Sequence, residues 1–161
     1  KVGVRTTQGL AYGMANAVRP GKTPLSSMSP TIVLKDGEPV LAVGSAGGPR
    51  IITSTLQLII NTLDYGMMMD SAVKTPHMCC LTRDQGLELE EGFSPDTVEL
   101  LEARGHKIAG TTDFGVLLVM PNGIMKKDGQ FFPGGTSRVD GGGGVLTKAG
   151  TAAIDGICFK F

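Results

Sequence analysis

Long apolar runs are missing from this sequence. The longest covers only a few residues, whereas a membrane-spanning helix needs roughly 20, so none is expected. A surplus of charge is missing as well: 15 Lys and Arg face 15 Asp and Glu. Nucleic-acid binders normally carry a basic excess, so no nucleic-acid partner is expected. Cysteine is scarce, with only Cys79, Cys80 and Cys158. An odd count with two adjacent residues is no disulfide framework. No CxxC or His spacing accompanies them, so no zinc site, and no other metal, is expected. Lys1 opens no signal-peptide pattern and there is no initiator Met, so the sequence is expected to begin inside a longer protein. Histidine occurs twice. His77 follows Pro76 and His106 follows Gly105, and neither neighbours a nucleophile or carboxylate pattern. Both read as structural or exposed.

What is present suits one folded domain. The chain has 161 residues, 41% hydrophobic and 19% charged, enough apolar mass to offset the entropy of ordering. Glycine is the outlier at 24 residues, about twice the usual share. Without a period, that density predicts many turns and close backbone approaches.

The pattern predicts alternating α and β elements. Residues 1–30 read as loop, because Pro20, Gly21, Pro24 and Pro30 forbid a regular helix. Residues 31–34 and 39–43 read as hairpin strands around Asp36-Gly37. Both are almost continuously apolar, which predicts that both faces are covered. A helix is predicted from Pro49 to Asp64. Ile52, Leu56, Ile59, Ile60 and Leu63 form its apolar stripe, with Thr53, Ser54, Gln57 and Asn61 opposite. A short helix is predicted over Met69–Lys74, with Met67-Met68-Met69 as core packing. A strand is predicted over Gly86–Glu91. Ser94 is the expected N-cap of a helix ending at Gly105, with Val98 and Leu101 inward. Further strands are predicted at Lys107–Ala109, Gly115–Met120 and Gly129–Phe132, with turns at Asn122-Gly123 and Asp128-Gly129. Residues 134–150 read as glycine-rich loop, and 152–161 as a tail without pattern.

Two segments could carry chemistry. The strand ending at Val43 runs through Gly44-Ser45-Ala46-Gly47-Gly48 into the long helix. Helix starts present unpaired N–H groups and a positive dipole end. Two glycines there let a substrate oxygen approach the backbone, the requirement of an oxyanion hole. The segment is neither a Walker loop nor a GxGxxG motif, so no nucleotide cofactor is implied. A tight strand-to-helix turn without a ligand explains the same residues equally well. The second segment, Pro24-Leu25-Ser26-Ser27-Met28-Ser29-Pro30, holds three hydroxyls in a stiff bracket. Such hydroxyls can bind a carboxylate with little entropy left to lose, although a polar loop has the same composition.

The string from Asn16 to Val33, with Pro24-Leu25-Ser26-Ser27-Met28-Ser29-Pro30 at its centre, closely resembles a signature of γ-glutamyltransferases. Gly44 to Ile52 resembles their glycine-pair segment. Asp64-Tyr65-Gly66-Met67, the stretch Glu91 to Thr97, and Leu101 to His106 follow in family order. The resemblance covers about Lys1 to Asp140. It implies part of the small-subunit domain of an α+β protein, an N-terminal-nucleophile hydrolase with an αββα sandwich. Residues 141–161 then form a diverged glycine-rich tail. In such enzymes a precursor cleaves itself, and the new N-terminal threonine attacks a γ-glutamyl carbonyl, usually of glutathione. The acyl group passes to water, an amino acid or a peptide. The resemblance maps carboxylate binding onto Ser26 and Ser27 and the oxyanion hole onto Gly47 and Gly48. It implies a large subunit of the same precursor as partner, an extracytoplasmic location and no cofactor. The family's nucleophile lies upstream of the matched region. Thr6-Thr7 copies its dipeptide, but the surroundings match a later segment, so the pair reads as a decoy and the isolated chain is expected to be inactive. The rivals are a non-catalytic relative used for binding or assembly, and a related acylase; the intact Leu25-Ser26-Ser27-Met28 speaks against the acylase. The family usually has Pro-Arg and paired histidines where this chain has Pro76-His77-Met78-Cys79-Cys80.

Overall fold

The computed structural model describes Gly3 and residues 13–82, 84–112, 119–138, 144–147 and 150–153. Thr6 and Thr7 lie outside these residues. The stretch 13–30 holds one short 3₁₀ turn, Met14–Asn16, and no other regular element.

The hairpin forms where the sequence predicts it, as β1 (Thr31–Lys35) and β2 (Glu38–Ala46). Asp36 and Gly37 take φ of 53° and 83°, the left-handed pair whose twist matches the flanking strands. β6 (Met120–Lys127) and β7 (Gln130–Gly134) complete an antiparallel sheet in the order β1-β2-β6-β7.

Two helices cover one face of this sheet. α1 (Ile51–Leu63) follows β2 through a 3₁₀ turn, Gly48–Arg50, so the helix proper starts two residues later than predicted. α2 (Met69–Lys74) lies as predicted. Leu41 and Val43 from β2, Leu58 from α1, and Met69, Ala72 and Val73 from α2 form the core. Each large apolar side chain buried there contributes roughly 1.5–3 kcal/mol.

The orientation of α1 departs from expectation. Ile52, Leu56 and Leu63 are 55%, 53% and 48% exposed. Ile51, Ser54, Thr55, Leu58 and Thr62 are the buried residues. The small hydroxyl residues allow the helix to lie close to the sheet, and Thr62 Oγ1 is satisfied by donating to Leu58 O at 2.7 Å. A helix apolar on two sides is suited to burial by two layers, and the described residues supply one. The sheet shows the same departure. Ile32, Ala42, Ile124 and Pro133 lie in register across all four strands, yet Ile32 is 67% exposed. The predicted cover of this second face is not among the described residues.

Asn122-Gly123, predicted as a turn, lies inside β6. The glycine serves close packing: a Cβ on Gly123 would stand 2.7 Å from both Met69 Sδ and Val43 Cγ1. Its cross-strand partner is Gly134, where a Cβ would stand 2.7 Å from Met69 O. The glycine pair thus makes room for Met69. Asp128-Gly129 is a turn, as predicted.

A second sheet contains β3 (Met78–Cys79), β4 (Leu87–Glu90) and β5 (Ile108–Thr112), with β3 antiparallel and β5 parallel to β4. β3 has no counterpart in the predicted elements. α3 (Pro95–Ala103) joins β4 to β5. Its N-cap Ser94 accepts from Thr97 N at 3.3 Å. Val98 and Leu101 are half-buried, and the rest of α3 is exposed. The predicted strand at Gly115–Met120 falls mostly outside the described residues. The predicted 134–150 loop is interrupted by β8 (Gly144–Thr147), which pairs antiparallel with β9 (Gly150–Ala153).

Candidate functional site

The two candidate segments meet. Ser27 Oγ donates to Gly48 O at 2.8 Å, across 21 positions of sequence. The seryl segment is held by its own short bonds. Ser26 Oγ accepts from Met28 N at 3.2 Å, and Ser29 Oγ donates to Ser27 O at 3.1 Å. Such local side-chain bonds replace a regular ladder. Ser26 is exposed and Ser27 half-buried. The hydroxyl proton of Ser27 is committed to Gly48. That of Ser26 is committed to no described group, so Ser26 is the freer donor.

Gly47 and Gly48 have φ of 141° and 62°, a backbone that side-chain-bearing residues rarely adopt. Arg50 N donates to Gly47 O at 3.3 Å, closing the turn. Among the described residues, neither glycine amide donates to a backbone acceptor outside the turn. Two adjacent amides without such partners, before a helix, can take up an anionic oxygen.

Behind the turn runs a polar ladder on the face of α1 opposite the predicted stripe. Arg50 Nε and Nη2 each donate to a Glu88 carboxylate oxygen at 2.7 Å. Thr53 Oγ1 lies 3.3 Å from Cys79 Sγ. Gln57 brackets the backbone of Met78, donating to its O at 2.9 Å and accepting from its N at 3.0 Å. Residues 50, 53 and 57 recur at helical spacing, so this side docks α1 on β3 while Arg50, in the turn before it, reaches β4. Cys79 is buried and Cys80 exposed. Burial pushes the Cys79 thiol up, with its contact to Thr53 acting the other way.

A buried charge cluster closes the far end of β4. Arg138 Nε donates to Glu90 Oε1 at 2.8 Å and Nη1 to Val73 O at 2.7 Å. Its Nη2 reaches Thr75 O at 3.1 Å, His77 Nδ1 at 3.0 Å and the second Glu90 oxygen. Glu90 also accepts from His77 N at 2.7 Å. His77, expected to be structural or exposed, is buried at 1% exposure. Arg138 donates to Nδ1, so the ring proton sits on Nε2, which finds no partner among the described residues.

Burial, followed by the Arg138 charge, lowers the His77 pKa from 6.5 to about 4. The unfolded chain therefore takes up a proton here that the folded one refuses between those values. Stability is unaffected by this group above pH 6.5 and falls as pH drops towards 4, by about 3 kcal/mol in all. His77→Asn keeps an acceptor for Arg138 and removes the titration. Unfolding midpoints followed from pH 7 to 4 are expected to fall less steeply for His77→Asn than for the parent; parallel profiles would exclude His77 as the source.

His106 is exposed at the end of α3, where its N–H donates to Leu101 O at 3.0 Å. Among the described residues, no three His, Cys, Asp or Glu converge as metal ligands. No described helix is long and apolar enough to cross a membrane. Sequence reading missed the ladder and the charge cluster. Its one available signal was the Leu87-Glu88-Leu89-Glu90 alternation, which places both carboxylates on one strand face but does not say that an arginine meets each.

A family model described as γ-glutamyltranspeptidase matches residues 1–143. The glutathione hydrolase proenzyme of Escherichia coli K12 is 52% identical over 109 residues, 68% of this chain and 19% of that protein. The corresponding Pseudomonas sp. A14 proenzyme is 50% identical over 111 residues, again 19% of its length. Among solved structures, the Helicobacter pylori γ-glutamyltranspeptidase T380A mutant superimposes with a TM-score of 0.77 at 38% identity, over 86% of this chain and 75% of that one. The chain thus spans about a fifth of the length of the curated relatives it matches.

Proposed function

From the premise that this chain belongs to the γ-glutamyltranspeptidase family and is part of its αββα N-terminal-nucleophile hydrolase fold, we propose that it supplies the substrate-holding half of a γ-glutamyl transfer site. The complete protein moves a γ-glutamyl group from glutathione or a similar donor to water, an amino acid or a peptide. The acyl group rides on a threonine upstream of this chain, freed by self-cleavage of a proenzyme. Ser26 and Ser27 bind the α-carboxylate of the γ-glutamyl group. Gly47 and Gly48 amides stabilise the oxyanion of the tetrahedral intermediate, where negative charge develops. The partner is the large subunit of the same precursor, suited to the open sheet face and the outward stripe of α1. The location is extracytoplasmic.

One observation carries this reading: the Ser27–Gly48 hydrogen bond at 2.8 Å. It brings Ser27 against the glycine turn, which supports a site for a substrate with a carboxylate at one end and a reacting carbonyl at the other. The serines divide the work. Ser26 donates freely, while Ser27 turns to the carboxylate only by releasing Gly48.

The test has two arms. The isolated chain is expected to release no product from a γ-glutamyl anilide, because covalent catalysis needs an activated nucleophile. In the complete enzyme, Ser26→Ala with Ser27→Ala is expected to lower kcat/KM at least about tenfold, since hydrogen bonds to a charged group contribute roughly 1.5–3 kcal/mol each. Turnover by the isolated chain that disappears with Thr6 or Thr7 would relocate the nucleophile. An unchanged kcat/KM in the double variant would remove the serines from the site.

A further inference from the structure

We propose that Glu88 is a positioning residue for this reaction: by gripping Arg50 it sets the direction of the Gly47 and Gly48 amides. The inference rests on the oxyanion reading above and adds a residue 40 positions beyond the turn.

Glycines hold no conformation by themselves, because no Cβ limits their rotation. A turn with φ of 141° and 62° therefore needs anchors outside itself. Three are visible. At the near end, Ala46 is the last residue of β2 and pairs with Met120 of β6. In the middle, Ser27 holds Gly48 O until it turns to the substrate. At the far end stands Arg50, whose N–H donates to Gly47 O at 3.3 Å. Its guanidinium is fixed by two parallel 2.7 Å bonds to Glu88.

The form of that last anchor suits positioning. A two-bond guanidinium–carboxylate pair fixes distance and direction together. The Arg50 and Glu88 side chains are 18% and 29% exposed, so this part-buried two-bond pair contributes to folding as well as to direction. The neighbouring strand β3 is tied independently to the same helix. Cys79, the cross-strand partner of Glu88, meets Thr53, and Gln57 brackets Met78. Loss of the ion pair therefore leaves α1 docked on the second sheet while freeing the residue that ends the glycine turn. Glu88 itself touches neither serine nor glycine and acts only through Arg50.

The experiment uses the complete, self-cleaved enzyme with a γ-glutamyl anilide as donor. Glu88→Gln retains the shape but loses the charge and one acceptor. It is expected to lower kcat about tenfold with KM changed less than about twofold, because amide orientation matters most where the oxyanion develops. Glu88→Asp restores the carboxylate and is expected to recover kcat to within about threefold of the parent. Unfolding midpoints of both are expected to fall slightly and alike. An unchanged kcat in Glu88→Gln overturns the proposal. So does an equal loss in both variants accompanied by strongly lowered midpoints, which marks a structural role only. Gly48→Ala measured alongside separates the two levels. If it lowers kcat and Glu88→Gln does not, only the positioning role fails. If Gly48→Ala leaves kcat intact, the oxyanion reading itself fails.

Discussion

Gly48→Ala is expected to lower kcat by about 10²–10³ in the complete enzyme, the usual effect of losing one oxyanion donor. The cause is conformational. Gly48 has φ of 62°, where an alanine is strained by about 1 kcal/mol. Moving to a relaxed φ rotates the adjoining peptide planes, and with them the amides. The contribution lost belongs to the transition state, so the effect appears in kcat more than in KM. Some stability is lost as well, so the informative quantity is kcat per folded, cleaved molecule. A purely structural turn predicts a lower unfolding midpoint with that quantity nearly intact. Titrating acyl-enzyme and following thermal unfolding on one preparation decides between them.

Arg138→Met is expected to have the largest effect on stability. The guanidinium is fully buried against a carboxylate that is 1% exposed. It also satisfies the carbonyls of Val73 and Thr75 at the end of α2. Removing it strands the Glu90 charge in the interior, which typically costs about 3–5 kcal/mol. Replacing both partners, Arg138→Met with Glu90→Gln, removes the stranded charge and is expected to recover a large part of the loss. Denaturant unfolding of the two variants beside the parent measures this. A single variant as stable as the parent, or a double variant no better than the single, would exclude an uncompensated Glu90 as the cause. The cluster joins α2, β3, β4 and the turn after β7, so its loss is expected to loosen the second sheet from the helices as well.

The elements legible in the sequence are those specified locally. Asp36-Gly37 defines the hairpin through the left-handed backbone it tolerates. Pro76 stands two residues past the end of α2, and Ser94-Pro95 starts α3 by capping. The seryl bracket and the glycine pair stood out because their chemistry lies in a few adjacent residues, and the resemblance of the chain to a known family placed them in one site. The failures share a different cause. Asn122-Gly123 has a turn composition, yet it is a strand because Met69 needs the space of a missing Cβ. The stripe of α1 has the right period but faces outward. Periodicity says which residues share a side, not which layer meets that side.

The sequence by itself determined the antiparallel hairpin, the glycine entry into a helix, the mixed α and β class and the family. Each depends on short-range backbone preference or on a contiguous motif. Only the tertiary structure decided what faces what. It joined Ser27 to Gly48, Arg50 to Glu88, and Arg138 to Glu90 and His77, over separations of 21 to 61 residues. No local rule reaches that far. A hydrogen bond needs its partners within about 3 Å and aligned, and that alignment exists only once strands, helices and turns have packed.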